Sequence, residues 1–138
     1  MKVLSLFDGI SCGMLALQRA GIPVECYDAF EIDKYAVTVS KRNFPVIVHH
    51  GNVYDGDFTQ FQGYDLLLGG SPCTYWSIAK KDREVDCNGE GFRLFKEYVR
   101  ALEESGCKYF LYENNYSVHQ CIKDEITRVL GVETVSYT

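Results

Sequence analysis

The sequence predicts an α/β fold: a doubly wound, mostly parallel sheet with helices on both faces. Two observations predict it. Short apolar runs alternate with stretches of helical period along all 138 residues. Each apolar run also closes on glycine or polar residues, as strands do where they lead into ligand-facing loops. No internal repeat, low-complexity segment or linker breaks the alternation, so 1–138 reads as one domain.

In chain order, "KVLSLF" (2–7) is a buried strand and "CGMLALQRAG" a helix stopped by Gly21. "VECYDAFE" (24–31) is strand-like. "DKYAVTVSKRNF" (33–44) is helical, with Asp33 as its cap and Pro45 as its stop. "VIVHH" (46–50) and "YDLLLGG" (64–70) are strands. "GFRLFKEYVRALEESG" (91–106) carries apolar residues at 92, 94, 95, 98, 99 and 102, a helical period. "KYFLYEN" (108–114) is a strand, "SVHQCIKDEITRVLG" (117–131) a helix ended by Gly131, and "VETVSYT" the possible opening of another strand. One long irregular stretch, about 71–90, stands out; loops of that length inside a domain are usually functional or mobile, and 74–90 is expected to move.

Composition narrows the class. The hydrophobic fraction is 46%, yet no apolar run approaches the ~20 residues of a membrane span. The start is too short for a secretory signal. Six cysteines lie at 12, 26, 73, 87, 107 and 121, without Cys-x-x-Cys pairs or zinc spacing, so reduced thiols in a cytoplasmic protein are expected and no metal. Net charge is −5, whereas a domain that grips nucleic acid unaided is usually basic.

The strand ends hold the candidate site. "FDGISCG" places Phe7, Asp8, Gly9 and Gly13 at a strand-to-helix turn, which suits either a nucleotide-type cradle or an ordinary tight turn. Glu31, about 20 residues on, stands where an acid binds ribose hydroxyls, with Ile32 beside it. "GGSPC" puts Gly70, Ser71 and Pro72 before Cys73. A thiol in that stiff, open turn suits a nucleophile, while Cys26, Cys107 and Cys121 fall in apolar or helical stretches expected to bury them. Lys80, Lys81 and Arg83 follow as cations for the thiolate or for phosphates, or as a solvated cluster. Glu113 ends an apolar strand as a half-buried acid, and Asn114 and Asn115 offer amides to a base edge. His49, His50 and His119 lie in no recognisable pattern.

In this order, these pieces resemble the cytosine-5 DNA methyltransferases. "FDGISCG" is similar to that family's first motif, "FEIDKYA" to its second, "GGSPCTYWS" to its Pro-Cys motif and "YENN" to its Glu-Asn-Val motif. "GFRLFKEYVRAL" resembles the helix after the catalytic loop, nearest the phage-encoded and de novo-type branches. The resemblance runs from about Val3 to Gly131. It implies a Rossmann-like methyltransferase fold and an enzyme that moves a methyl group from S-adenosylmethionine to cytosine carbon 5. Cys73 would be the covalent nucleophile and Glu113 the acid. Phe7, Asp8, Gly9, Gly13, Glu31, Ile32, Asn52 and Gly70 would hold the cofactor. Ser71, Pro72, Ser77, Asn114, Lys80, Lys81 and Arg83 would meet the substrate.

The sequence departs from the pattern in three places. Asn52 stands where the family carries an acid. Asn115 replaces an apolar residue. The sequence ends at Thr138, before the family's arginine motif, target-recognition domain and last motif. The resemblance therefore implies an N-terminal catalytic part, weak or inactive alone, with DNA as substrate and a second polypeptide as a possible supplier of the missing half. A non-catalytic binding remnant and an RNA cytosine methyltransferase remain the alternatives.

Overall fold

Val3, Leu4, Ser5 and Leu6 are all buried, so β1 (Lys2–Leu6) is covered on both faces and forms the middle of the sheet. The structure, a computed structural model, describes residues 1–133 and 135. β2 (Cys26–Phe30), β3 (Val48–His49), β4 (Leu66–Gly69) and β5 (Tyr109–Tyr112) complete a sheet of order β3-β2-β1-β4-β5. Every pairing is parallel. The chain builds outward from β1 to β3, then crosses back to β4. The topological switch therefore lies between β1 and β4, and the loops that follow these strands face each other there.

The period-two alternation sorts the core into two layers. Val3, Tyr27 and Ala29 pack with Met14 and Leu17 of α1 (Cys12–Arg19). On the opposite face Leu4, Leu6, Phe30 and Leu67 pack with Tyr98 and Ala101 of α3 (Glu90–Ser105). α3 also meets Ile122 and Ile126 of α4 (Gln120–Leu130) around the fully buried Trp76. Removing an aromatic ring such as Phe95 from this layer would cost about 3–5 kcal/mol. The expected doubly wound architecture is what the chain adopts.

Element ends fall where local chemistry puts them. The Asp33 carboxylate accepts the amides of Tyr35 and Ala36 and opens α2 (Lys34–Asn43) as expected. Gly106 and Gly131 take left-handed backbone and close α3 and α4. The strands are shorter than the apolar runs, and two single 3-10 turns, Val53–Asp55 and Phe58–Phe61, carry the chain from β3 to β4. α4 begins three residues later than expected, at Gln120. Val132, Glu133 and Val135 form no strand, and the rest of the possible final strand lies outside the described residues. Among the described residues no helix is long and apolar enough to cross a membrane.

Candidate active site

The loop after β1 is built around one carboxylate. Asp8 accepts hydrogen bonds from Ser5 Oγ at 2.6 Å, Tyr27 OH at 2.7 Å and Ser11 Oγ. Ser11 is buried in left-handed backbone, and its hydroxyl continues through Ser40 Oγ at 2.5 Å to His49 Nε2 at 3.2 Å. Burial, and then the Asp8 charge, pushes the Tyr27 phenol well up. Burial likewise pulls the His49 imidazole down. Asp8, expected among the cofactor contacts, thus points inward and holds the turn in shape. Gly13 is also structural: a Cβ there would come within 2.8 Å of Tyr27 OH and 2.9 Å of Leu68 Cδ1, so the glycine lets α1 lie against the sheet.

Glu31 bridges this loop to the next. One of its oxygens accepts the Gly9 amide at 2.8 Å and the other the Asp33 amide at 2.8 Å. Both oxygens keep further acceptor capacity toward solvent. Ile32 beside it is 76% exposed, an uncovered apolar platform. A cavity of about 220 Å³ opens here between Phe7, Phe30, Glu31, Ile32, Asn52 and Pro72. The structure therefore brings Phe7, Glu31, Ile32 and Asn52 together, as expected. The Asn52 amide oxygen already accepts the Tyr54 amide at 3.1 Å, which caps the turn at Val53–Asp55. The sequence reading missed Tyr54, Tyr75 and Glu90 on the cavity wall. Tyr54 OH donates to Glu90 Oε1 at 2.6 Å, and burial together with that bond pushes the phenol up to about 12. Only the position of Tyr54 inside "GNVYD" hinted at it.

β4 and β5, hydrogen-bonded neighbours, carry Cys73 and Glu113 to the same end of the sheet. Cys73 opens a 3-10 turn (Cys73–Tyr75) and is exposed. Its carbonyl accepts the amides of Trp76 and Ser77, and the Trp76 indole is driven beneath α3. At Gly70, expected near the cofactor, a Cβ would lie 2.1 Å from the Glu113 carbonyl oxygen, so only glycine lets the two strand ends approach so closely. Ser71 is buried and shares a 2.7 Å hydrogen bond with Tyr112 OH. Asn114 Nδ2 donates to the Ser71 carbonyl at 2.9 Å, and its Oδ1 accepts the Asn115 amide. Ser71 and Asn114, expected at the substrate, stitch the two strand ends together.

Two expectations about burial fail. Glu113 is exposed rather than half-buried: it follows β5, the last strand of the sheet among the described residues. Cys121 is exposed rather than buried. It sits in the first turn of α4 on the side away from the Ile122–Ile126 stripe, with its thiol 3.2 Å from His119 Nδ1. Cys26 is half-buried and Cys107 buried.

The loop at 71–90 folds back on itself. The Glu84 carboxylate accepts the amides of Glu90 and Gly91, capping α3 from a distance, and the Glu84 amide donates to the Tyr75 carbonyl. Arg83, expected to face phosphate, donates to the Ser117 carbonyl at 2.9 Å. Residues 78–82 are exposed, including Lys80 and Lys81. The Lys80 ammonium sits over the Tyr75 ring, and Ser77 Oγ accepts the Ala79 amide. Among the described residues no group of three or more His, Cys, Asp or Glu could hold a metal ion.

A doubly wound sheet with a cavity at its switch point, an acid after β2 and an exposed cysteine after β4 defines a Rossmann-like α/β domain. The particular family follows from the sequence: residues 1–130 match the model of the C-5 cytosine-specific DNA methylases, and the chain belongs to that family. It is 38% identical over 118 residues to the orphan methyltransferase M.SPRI of Bacillus phage SPR, an alignment spanning 83% of this chain and 26% of that protein. It is 34% identical over 116 residues to the type II methyltransferase M.HgiCII of Herpetosiphon aurantiacus, spanning 82% of this chain and 25% of that one. The chain thus spans about a quarter of the length of these curated relatives. Among solved structures, the S. pombe Dnmt2 methyltransferase superposes with a TM-score of 0.69 at 21% identity, over 95% of this chain and 41% of that one. Thermoplasma acidophilum 1320 gives 0.59 at 18% identity, over 94% and 58%. These last two likenesses speak to the fold.

Proposed function

We propose that the chain is the N-terminal catalytic part of an S-adenosylmethionine-dependent cytosine-5 DNA methyltransferase, acting through a covalent Cys73 adduct. The observation that carries this is the pairing of β4 with β5. Hydrogen-bonded neighbours bring Cys73 and Glu113 to one end of the sheet, beside a cavity that starts at Pro72. Cytosine carbon 5 is a weak nucleophile. The Cys73 thiolate would attack carbon 6, moving the ring electron pair toward carbon 5 while Glu113 gives a proton to ring nitrogen 3. The cofactor would supply an electrophilic methyl group to carbon 5. Loss of the carbon 5 proton would then return the electron pair and release Cys73. The target base has to leave its stack to reach this edge, and the exposed 78–82 segment is the part of the loop free to meet it.

The residues present fit the cofactor. Glu31, preset by two backbone amides, suits ribose hydroxyls, and Ile32 offers its apolar surface to the adenine ring. The cavity of about 220 Å³ is below the usual range of roughly 300–1,000 Å³ for small-molecule pockets, which points to weak binding by the chain alone. Exposed Glu113 points the same way for chemistry: the isolated chain binds and does not turn over. The partners in this proposal are DNA, with RNA as the competing substrate, and a second polypeptide for the part its relatives carry beyond it. A cytoplasmic site of action belongs to the same proposal.

The test combines this chain with the separately expressed remainder of the phage SPR relative, S-adenosylmethionine and duplex DNA carrying 5-fluorocytosine. Fluorine blocks the proton loss that frees the enzyme, so a covalent complex should accumulate and Cys73→Ser should abolish it. An adduct that survives Cys73→Ser, or maps to another cysteine, would sink the proposal. Faster trapping on a matched RNA would move the substrate from DNA to RNA.

A further inference from the structure

The cavity at the switch point is lined by two carboxylates, Glu31 and Glu90. Glu31 comes from the end of β2, its oxygens preset by the Gly9 and Asp33 amides. Glu90 comes from the first turn of α3, with Leu94 one turn further along the same wall. It belongs to none of the motifs that carry the family resemblance. It is also not needed to cap its own helix. The Glu84 carboxylate already accepts the amides of Glu90 and Gly91. The Glu90 side chain instead meets Tyr54, 36 residues away in the chain: Tyr54 OH donates to its Oε1 at 2.6 Å. Arg93 Nη1 lies 3.6 Å from Oε2. A carboxylate has roughly four acceptor positions, so Glu90 keeps capacity for a further donor.

An adenosine unit brings two sets of hydrogen-bond donors: the ribose hydroxyls and the 6-amino group of the base. Glu31 suits the first set. The second needs an acceptor on the same cavity. Asn52 serves badly, because its Oδ1 already holds the Tyr54 amide and its Nδ2 is itself a donor. Glu90 is acceptor-only and charged, which makes the stronger bond. Ile32, 76% exposed, and Leu94 give the cavity aliphatic surfaces against which a flat base can lie. We infer that Glu90 is a specificity-determining residue of the cofactor site: it accepts the 6-amino group of the adenine, and Tyr54 positions its carboxylate to do so. This rests on the function proposed above. It deepens that function by naming the group that selects a 6-amino purine over a 6-oxo purine. A 6-oxo group would set its own lone pairs against the Glu90 carboxylate and leave that carboxylate without a donor.

The experiment uses the full chain, calorimetry and two pairs of ligands. One pair is S-adenosylhomocysteine and S-inosylhomocysteine, the other adenosine and inosine. Within each pair only the base edge differs, 6-amino against 6-oxo. The wild-type chain should prefer the adenosyl member by about 10–100-fold, the range for a hydrogen bond to a charged group. Glu90→Ala should cut that preference to about 3-fold or less. Glu90→Gln leaves an oxygen for Tyr54 and offers an N–H to the base, so it should shift the preference toward the inosyl member. Tyr54→Phe should lower the preference by about 3–10-fold, the worth of orienting the carboxylate. Glu31→Ala should weaken both members alike and leave the preference intact. The preference is a ratio within one variant, so a partly unfolded sample loses signal without changing it.

A wild-type chain that binds both members of a pair equally, or a preference that survives Glu90→Ala, would overturn the inference. A preference lost in Asn52→Ala and kept in Glu90→Ala would overturn it in favour of Asn52. S-adenosylhomocysteine binding that depends on Glu31 and not on Glu90 would overturn it and leave the proposed function standing. A Glu90-dependent preference for adenosine, with the homocysteine tail adding no affinity, would do the reverse. Binding of none of the four ligands would overturn both.

Discussion

The two sides of the switch point are finished to different degrees. On the β1–β2 side every turn is closed by internal bonds. Asp8 gathers three hydroxyls, Glu31 takes two amides, and Asn52 caps its own turn. On the β4–β5 side the strand ends are stitched by Ser71, Tyr112 and Asn114, but Cys73 and Glu113 are exposed. The first side has the order a binding site needs before its ligand arrives. The second holds the two groups proposed for the chemistry on ordered strand ends but open to water. A chain built this way should bind before it can react.

Four substitutions test that contrast. The largest effect belongs to Glu113. In the complemented enzyme Glu113→Gln should slow adduct formation by roughly 10²–10⁴, the range for loss of a general acid, while cofactor affinity stays unchanged. A loss in affinity instead would show that the two sides are not separable.

Asp8→Ala should come next. It strips three hydroxyl donors of their acceptor and should destabilise the fold by about 3 kcal/mol. Chemical denaturation would measure it, and a change under 1 kcal/mol, the worth of one ordinary hydrogen bond, would mean that the network is ornamental.

Glu31→Ala should weaken binding of S-adenosylmethionine or its demethylated product by about 1–3 kcal/mol in calorimetry, with melting nearly unchanged. A folded wild-type sample that binds neither ligand would remove the binding side of the comparison altogether.

The smallest effect is with pH. His49 is pulled below its unfolded value of about 6.5 by burial, so the unfolded chain takes up its proton first. The stability contributed by neutral His49 is complete above about 6.5 and falls as the pH drops from there toward the lower folded value. Melting temperature should decline through that window, and His49→Gln should flatten the decline. An unchanged slope would place the acid sensitivity elsewhere.

Much of this was legible in the sequence, for a physical reason. Helix and strand periods, the Asp33 cap and the Gly131 stop depend on neighbours a few residues away. The α/β alternation and the element order could therefore be inferred from local pattern, while the gathering of Phe7, Glu31, Ile32 and Asn52 at one cavity was implied by the family resemblance. The exposure of Glu113 and Cys121 could not. Burial depends on what other elements lie over a side chain, and an apolar strand looks the same at an edge as in the middle. Nor could the inward turn of Asp8, whose partners come from positions 5, 11 and 27, or the role of Gly70, which only the approach of the Glu113 carbonyl explains. Residue type and local spacing determined which groups stand at the strand ends. The tertiary structure alone decided which of them face solvent and which are bound to one another, because those partners lie far apart in the chain.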